Sequence, residues 1–192
     1  MSRSRTGRDR LAEYRRRIVD ARAGLRAAQA EIEPEPVTDF EFVGPAGPIR
    51  LSQLFGDKAD LFVIHNMGVT CAYCTMWADG FNGVFDHLAD RAAFVVSSPN
   101  SPDIQAAFAR ERGWRFPMVS LGGSGFAEAM GYRGDGGWLP GVSAFQKRGD
   151  GLVRVSDQAL GPCDDFCSVW HFLDMLPEGP AGWGPKFSYA AG

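Results

Sequence analysis

The sequence predicts an α/β domain, a central mixed sheet flanked by helices, with a helical extension at its N-terminus. Three observations predict it. Short, nearly continuous apolar runs of strand length alternate with segments of helical periodicity from residue 39 onward. Two further strand-like runs, joined by the polar turn "RGDG", are followed by a last helix. An Arg-rich amphipathic segment precedes all of this and ends at prolines. The expected division is residues 1–36 for the basic helix and its linker, 37–178 for the α/β domain and 179–192 for a Pro/Gly-rich tail.

In the first segment Leu11, Tyr14, Ile18, Ala21, Leu25, Ala28 and Ile32 recur at three-four spacing, which puts one narrow apolar stripe on a helix and Arg on its other faces. Such a stripe needs a partner, either its own domain or the same helix of a second subunit, so a homodimer is one expectation. Glu33-Pro34-Glu35-Pro36 ends the helix, because proline removes a donor and restricts the residue before it. Phe40 to Val43 reads as a short strand and Leu61 to Asn66 as a strand buried on both faces. Trp77, Phe81, Val84, Phe85 and Leu88 mark a helix with one apolar side. Ala92 to Ser97 is the next buried strand; Ser101-Pro102-Asp103 supplies a cap, a first-turn proline and a first-turn acid for a helix ending near Gly113. A short helix is expected around Phe126 to Met130, a hairpin at Val142 to Lys147 and Leu152 to Ser156, and a final helix at Cys163 to Leu176.

Composition narrows the classes. With 192 residues, 45% hydrophobic and 22% charged, the chain buries one good core, and disordered or collagen-like readings fail. No run approaches the roughly 18 apolar residues of a membrane helix, and the Arg-rich start lacks a signal peptide's apolar centre, so the expectation is a cytoplasmic protein without membrane contact. Residues 1–26 hold nine Arg against three acids, yet without the interleaved aromatics of a nucleic-acid surface, so no nucleic-acid partner is expected. "LGGSG" lacks the Lys and Ser/Thr of a phosphate loop and no dinucleotide fingerprint appears; no cofactor is implied.

The chemistry concentrates at "VIHNMGVTCAYCTMWADGF". Cys71 and Cys74 stand where the buried strand gives way to the helix. There the free N–H groups and the helix dipole lower a thiol's pKa, and a spacing of three lets the sulfurs close a disulfide. Cys71 is the expected nucleophile and Cys74 the resolving thiol, rather than two small buried hydrophobes. His65 ends the preceding strand and is a candidate to orient or deprotonate a thiol, although a satisfied structural histidine is the simpler reading; Tyr73 is a candidate for a substrate-facing surface and Trp77 for the core.

The element order is that of the thioredoxin fold. "CAYC", "GWRFPMVS", "LPGVSAF", "EFVGPAGPIRLSQLFG" and the closing "GPCDDFCSVWHFLDMLPEG" resemble the bacterial thioredoxin-like family known as domain of unknown function 899, from about Leu11 to Tyr189. The resemblance implies the fold, and it implies that Pro140 sits as a cis-proline against the dithiol, positioning substrate. Ala72-Tyr73 and Thr70 depart from the Gly-Pro and Trp of thioredoxin itself, which leaves the redox poise open.

Thiol–disulfide exchange on protein or small-molecule disulfides is the function expected first. "FPMVS", with the short helix and hairpin after it, also resembles the peroxiredoxin branch, where a proline and a hydroxyl precede the reactive cysteine. Counting back from Cys71 gives Gly68 and Ile64, and from Cys74 gives Cys71 and Met67, so neither register carries them and peroxide reduction ranks lower. Cys163 and Cys167 form a second pair, open to three readings: a four-cysteine zinc site with the first pair, a second redox relay, or packing. The zinc reading, or a dimerisation role, would make the chain a non-enzymatic module. A disulfide between them is disfavoured if both lie in regular helix, a full turn apart.

Overall fold

A computed structural model describes residues 5–189 of the chain, with side chains described from Gly7. It divides into two units, one ending at Pro34 and the other starting at Glu35. The first is a single helix, α1 (Arg5–Glu31), on which Arg10 and Arg17 lie over the ring of Tyr14. No helix among the described residues is long and apolar enough to cross a membrane.

The second unit opens with strands β1 (Glu35–Val37), β2 (Glu41–Gly44) and β3 (Gly47–Arg50) and the single-turn helix α2 (Leu51–Leu54). Then come β4 (Asp60–His65), α3 (Ala72–Arg91), β5 (Ala93–Ser98), α4 (Pro102–Arg112), β6 (Met118–Ser120) and α5 (Phe126–Ala129). A small ribbon, β7 (Arg133–Gly134) and β8 (Gly137–Trp138), precedes the hairpin β9 (Gly141–Arg148) and β10 (Gly151–Ala159), and α6 (Ser168–Leu173) closes the domain. Eight strands form one sheet in the order β1-β10-β9-β4-β5-β6-β2-β3. β4 and β6 each run parallel to β5, while β9 pairs β4 antiparallel, which gives the expected mixed sheet.

Side chains alternate across this sheet with the period of two that strands impose. In β4, Leu61 and Val63 enter a cluster with Phe42, Phe126, Tyr132 and Phe145, whereas Ile64 and, partly buried, Phe62 join Cys74, Trp77, Phe81, Trp114 and Trp170 on the other face. α4 begins at Ser101 with Pro102 in its first turn and ends at Gly113, whose φ of 69° is the left-handed conformation glycine adopts without cost. The buried Gln105 fastens this helix to the sheet by donating to Ser98 Oγ and the Val119 carbonyl, at 2.8 and 2.9 Å.

Two expectations change. The last helix starts at Ser168 rather than Cys163, because Asp164 folds the preceding residues into turns: its carboxylate accepts the N–H of Gly161, Phe166 and Cys167. An Asp that binds nearby backbone donors competes with the helix ladder in this way. Pro140 also differs, since no peptide bond among the described residues is cis. Its segment is held in the ordinary trans form by backbone bonds at both ends, from Leu139 N–H to the Tyr132 carbonyl and from Leu160 N–H to the Pro140 carbonyl.

Candidate active site

The loop between β4 and α3 aims the first cysteine. Gly68 has a φ of 107°, its N–H donates to Asn66 Oδ1 at 2.7 Å, and a Cβ there would lie 2.6 Å from Asn100 Oδ1. That same Asn100 oxygen accepts the Val69 N–H, so a side chain in place of hydrogen at residue 68 would displace the contact that fixes the loop. Cys71 N–H donates to the Gly68 carbonyl, and Cys71 then takes the N-cap position of α3 with extended backbone, φ −96°.

At an N-cap a side-chain acceptor satisfies one of the helix's unpaired donors. Serine or aspartate usually fills this place; here the Cys71 sulfur accepts the N–H of Cys74 at 3.0 Å. Cys74 is buried, and its sulfur receives the Met67 N–H at 3.5 Å. Foremost the Cys74 S–H, then the backbone N–H groups of Cys74 and Tyr73, favour the ionised form of Cys71 against the opposing effect of burial, and bring its pKa down to about 7. Cys74 goes far upward for the complementary reasons: it donates to the neighbouring sulfur and is shut away from solvent. Near neutral pH about half of the molecules therefore carry a thiolate at the half-buried Cys71, beside a Cys74 that stays a thiol.

Tyr73 roofs this turn. Its ring stacks on Trp170 of α6 at 6.3 Å and 22° and meets Trp77 at 6.1 Å; Trp183 of the tail stands edge-on to Trp170 at 6.0 Å. Trp77 is core, 3% exposed, as its helical spacing predicts. The tail is clamped further along, where Arg112 donates to the Phe187 carbonyl at 2.7 Å while paired with Asp79, the carboxylate that also accepts the Trp114 indole N–H at 2.8 Å. Trp170, Trp183 and Arg112 had no signal in the sequence beyond their residue types, since their meeting depends on how the tail is laid over the domain.

His65 is not brought to the dithiol. It ends β4 on the Leu61 and Val63 side of the sheet, stacked 3.9 Å from Tyr132, with Nε2 in a 2.9 Å bond to Ser143 Oγ. Strand alternation decides this, because Ile64 is the residue that faces the cysteines. Burial foremost, with the charge of Arg154, lowers its pKa to about 3, so it is a neutral structural group. The unfolded chain protonates near 6.5 while the folded one resists, so the stability His65 contributes is whole above about pH 6.5 and is lost as pH falls towards 3, by up to about 5 kcal/mol at roughly 1.4 kcal/mol per pH unit. Urea midpoints at pH 7 and 4.5 check it: His65→Phe should lose most of the wild-type difference, and an unchanged difference would contradict the assignment.

Cys163 is exposed and Cys167 buried, and among the described residues no three His, Cys, Asp or Glu side chains are grouped so as to hold an ion.

A family model described as "Bacterial protein of unknown function (DUF899)" matches residues 4–185. The chain belongs to this family. No curated protein matches. Among solved structures this DUF899 chain is similar to a cysteine-to-serine mutant of peroxiredoxin Q from Xanthomonas campestris, 19% identical over 68% of this chain and 87% of that one, TM-score 0.55. It is similar as well to reduced Prx3 from Vibrio vulnificus in complex with hydrogen peroxide, 15% identical over 69% and 90%, TM-score 0.55. A PrxQ mutant from Xylella fastidiosa is 13% identical over 66% and 84%, TM-score 0.56. At these identities the likeness is one of fold: the DUF899 domain is a thioredoxin fold of the kind peroxiredoxins have.

Proposed function

We propose that the protein is a two-cysteine thiol peroxidase, with Cys71 as the attacking thiolate and Cys74 as the resolving thiol. The observation that carries this is the half-buried sulfur at the N-cap of α3, bonded to Cys74 N–H and held at a lowered pKa. The peroxiredoxin names of the structural neighbours support a peroxide as its oxidant. Neither the hydroxyl nor the proline of the peroxiredoxin pattern precedes Cys71, where Gly68 and Ile64 stand, so this reading rests on the sulfur's geometry and on the fold.

The Cys71 thiolate attacks the terminal oxygen of a hydroperoxide, the O–O bond breaks, and the departing alkoxide or hydroxide takes a proton from water. The sulfenic acid so formed lies next to the Cys74 thiol. Attack of Cys74 on the Cys71 sulfur expels water and leaves a disulfide, which an external dithiol reduces.

Thiol–disulfide exchange by the same pair is the second reading, favoured by the Cys-x-x-Cys spacing and the direct contact of the two sulfurs. A pH profile tests the nucleophile in both cases. Single-turnover consumption of hydrogen peroxide, and alkylation of Cys71 by iodoacetamide, should rise ~10-fold between pH 6 and 8 with a midpoint near the thiolate's own. A midpoint close to 9 would show an ordinary thiol and end the proposal.

A further inference from the structure

The dithiol site leaves two cysteines unused, and their placement is not incidental. Cys71 is the N-cap of α3 and Cys167 the N-cap of α6. The first turns of these two helices meet through the Tyr73 and Trp170 rings, two and three residues after the respective caps. Cys74, Cys167 and Trp170 belong to one buried cluster, with Cys71 and Tyr73 packed against it. Cys163 stands four residues before Cys167, exposed, with a φ of 71° that a non-glycine residue adopts at a cost. Between them the chain is not helical. Asp164 ties Gly161 N–H at one end and Cys167 N–H at the other, at 3.0 and 3.1 Å, which folds the segment back on itself and removes the objection that a regular helix raises against a bridge.

We propose that Cys167 and Cys163 form a second disulfide relay, taking oxidising equivalents from the Cys71–Cys74 disulfide and carrying them to the surface. It rests on the reading above only for the identity of the oxidant. Cys167, giving up its proton to water, attacks the Cys74 sulfur of the oxidised pair, the Cys71–Cys74 bond breaks, and Cys71 departs as thiolate, since the thiol of lower pKa is the better leaving group. Cys163 then attacks the Cys167 sulfur, giving up its proton to water, while Cys74 departs and is reprotonated. The net result is a reduced Cys71 and Cys74 and an oxidised Cys163 and Cys167; an external dithiol, reaching exposed Cys163, reduces that pair and is itself oxidised.

The thiols do not meet at one point, so exchange requires the start of α6 to open. That helix has six residues, and the side chain of its N-cap, Cys167, accepts no N–H of the first turn, features of an end that frays readily. Burial foremost holds the Cys167 thiol above its ordinary pKa, with the Asp164 charge adding to it, so Cys167 stays protonated until such an opening.

The test tracks sulfur connectivity. Fully reduced full-length protein is given hydrogen peroxide, or in a separate arm bis(hydroxyethyl) disulfide, then quenched in acid, alkylated and mapped by peptide mass spectrometry over time. The relay requires a Cys71–Cys74 peptide first and a Cys163–Cys167 peptide later. Wild type should take up two equivalents of oxidant before reductant is needed and Cys163→Ser one, while Cys71→Ser should form no Cys163–Cys167 bridge under stoichiometric peroxide. A Cys71–Cys74 bridge with Cys163 and Cys167 still fully alkylated would overturn the relay and leave the peroxidase reading standing. Oxidation of both pairs by the disulfide but not by peroxide would support the relay and remove the peroxidase. If neither oxidant bridges Cys71 to Cys74, both fall.

Discussion

Replacing Cys71 with serine is expected to abolish peroxide consumption, a loss of more than about 10³-fold in the single-turnover rate, while the protein stays folded. A hydroxyl still accepts the Cys74 N–H, as serine does at most helix N-caps, so the helix keeps its cap. What disappears is the low-pKa sulfur, which in the proposed reaction is the group that attacks the O–O bond. Cys74→Ser divides the chemistry differently. It should allow one attack and then stop at the sulfenic acid, which dimedone traps and mass spectrometry reads. The S–H donor is the foremost cause of the lowered Cys71 pKa, so the first attack should move to higher pH in Cys74→Ala, which has no donor, and less in Cys74→Ser, which keeps one. Peroxide turnover by Cys71→Ser at the wild-type rate would locate the nucleophile elsewhere.

The parts of this site that could be read in the sequence are those fixed by local physics. A strand run into a glycine, then two cysteines three apart and a helical series, is enough to place one sulfur at a helix N-terminus, and the structure has Cys71 as the N-cap. The core role of Trp77 and the turn at Gly113 were legible for the same reason, since periodicity and capping act over a few residues. His65 takes the structural place that was its simpler reading, because strand alternation, which puts it on the far face, matters more than its nearness in sequence to Cys71. The start of α6 was misplaced because one side chain, Asp164, recruits three backbone donors that a helix would otherwise use. Strand β3, which pairs with the expected strand at Phe40 to Val43, and the β7–β8 ribbon went unforeseen for want of length, having too little alternation to stand out from loop. The aromatic roof of Tyr73, Trp170 and Trp183 depends on the contact of Tyr73 with Trp170, 97 residues further along the chain and beyond any local pattern.

Gly141→Ala is expected to destabilise the domain by about 3 kcal/mol, read as a lower urea midpoint. Gly141 begins β9 and lies directly across from His65 of β4. A Cβ built on it would overlap three atoms of the Tyr132 ring. That ring cannot retreat cheaply. One face lies on the His65 imidazole at 3.9 Å, its hydroxyl donates to Asp157 Oδ2 at 2.9 Å, and its backbone is tied to Ala127 and Leu139. The added methyl must therefore shift a buried aromatic, a buried histidine and a strand pairing together, which is how overpacking costs more than the methyl's own burial returns. Truncating the obstacle should relieve it, so Gly141→Ala combined with Tyr132→Leu should be less damaging than the two single changes added together. The two faces of the sheet also make a separate claim testable. Tyr132 and His65 pack opposite the dithiol, so the alkylation midpoint of Cys71 should stay near 7 in Gly141→Ala while stability falls. A midpoint that moved with the mutation would mean that the packing behind β4 helps to set the thiolate; a urea transition within about 0.5 kcal/mol of wild type would mean that Tyr132 yields, against the contacts that hold it.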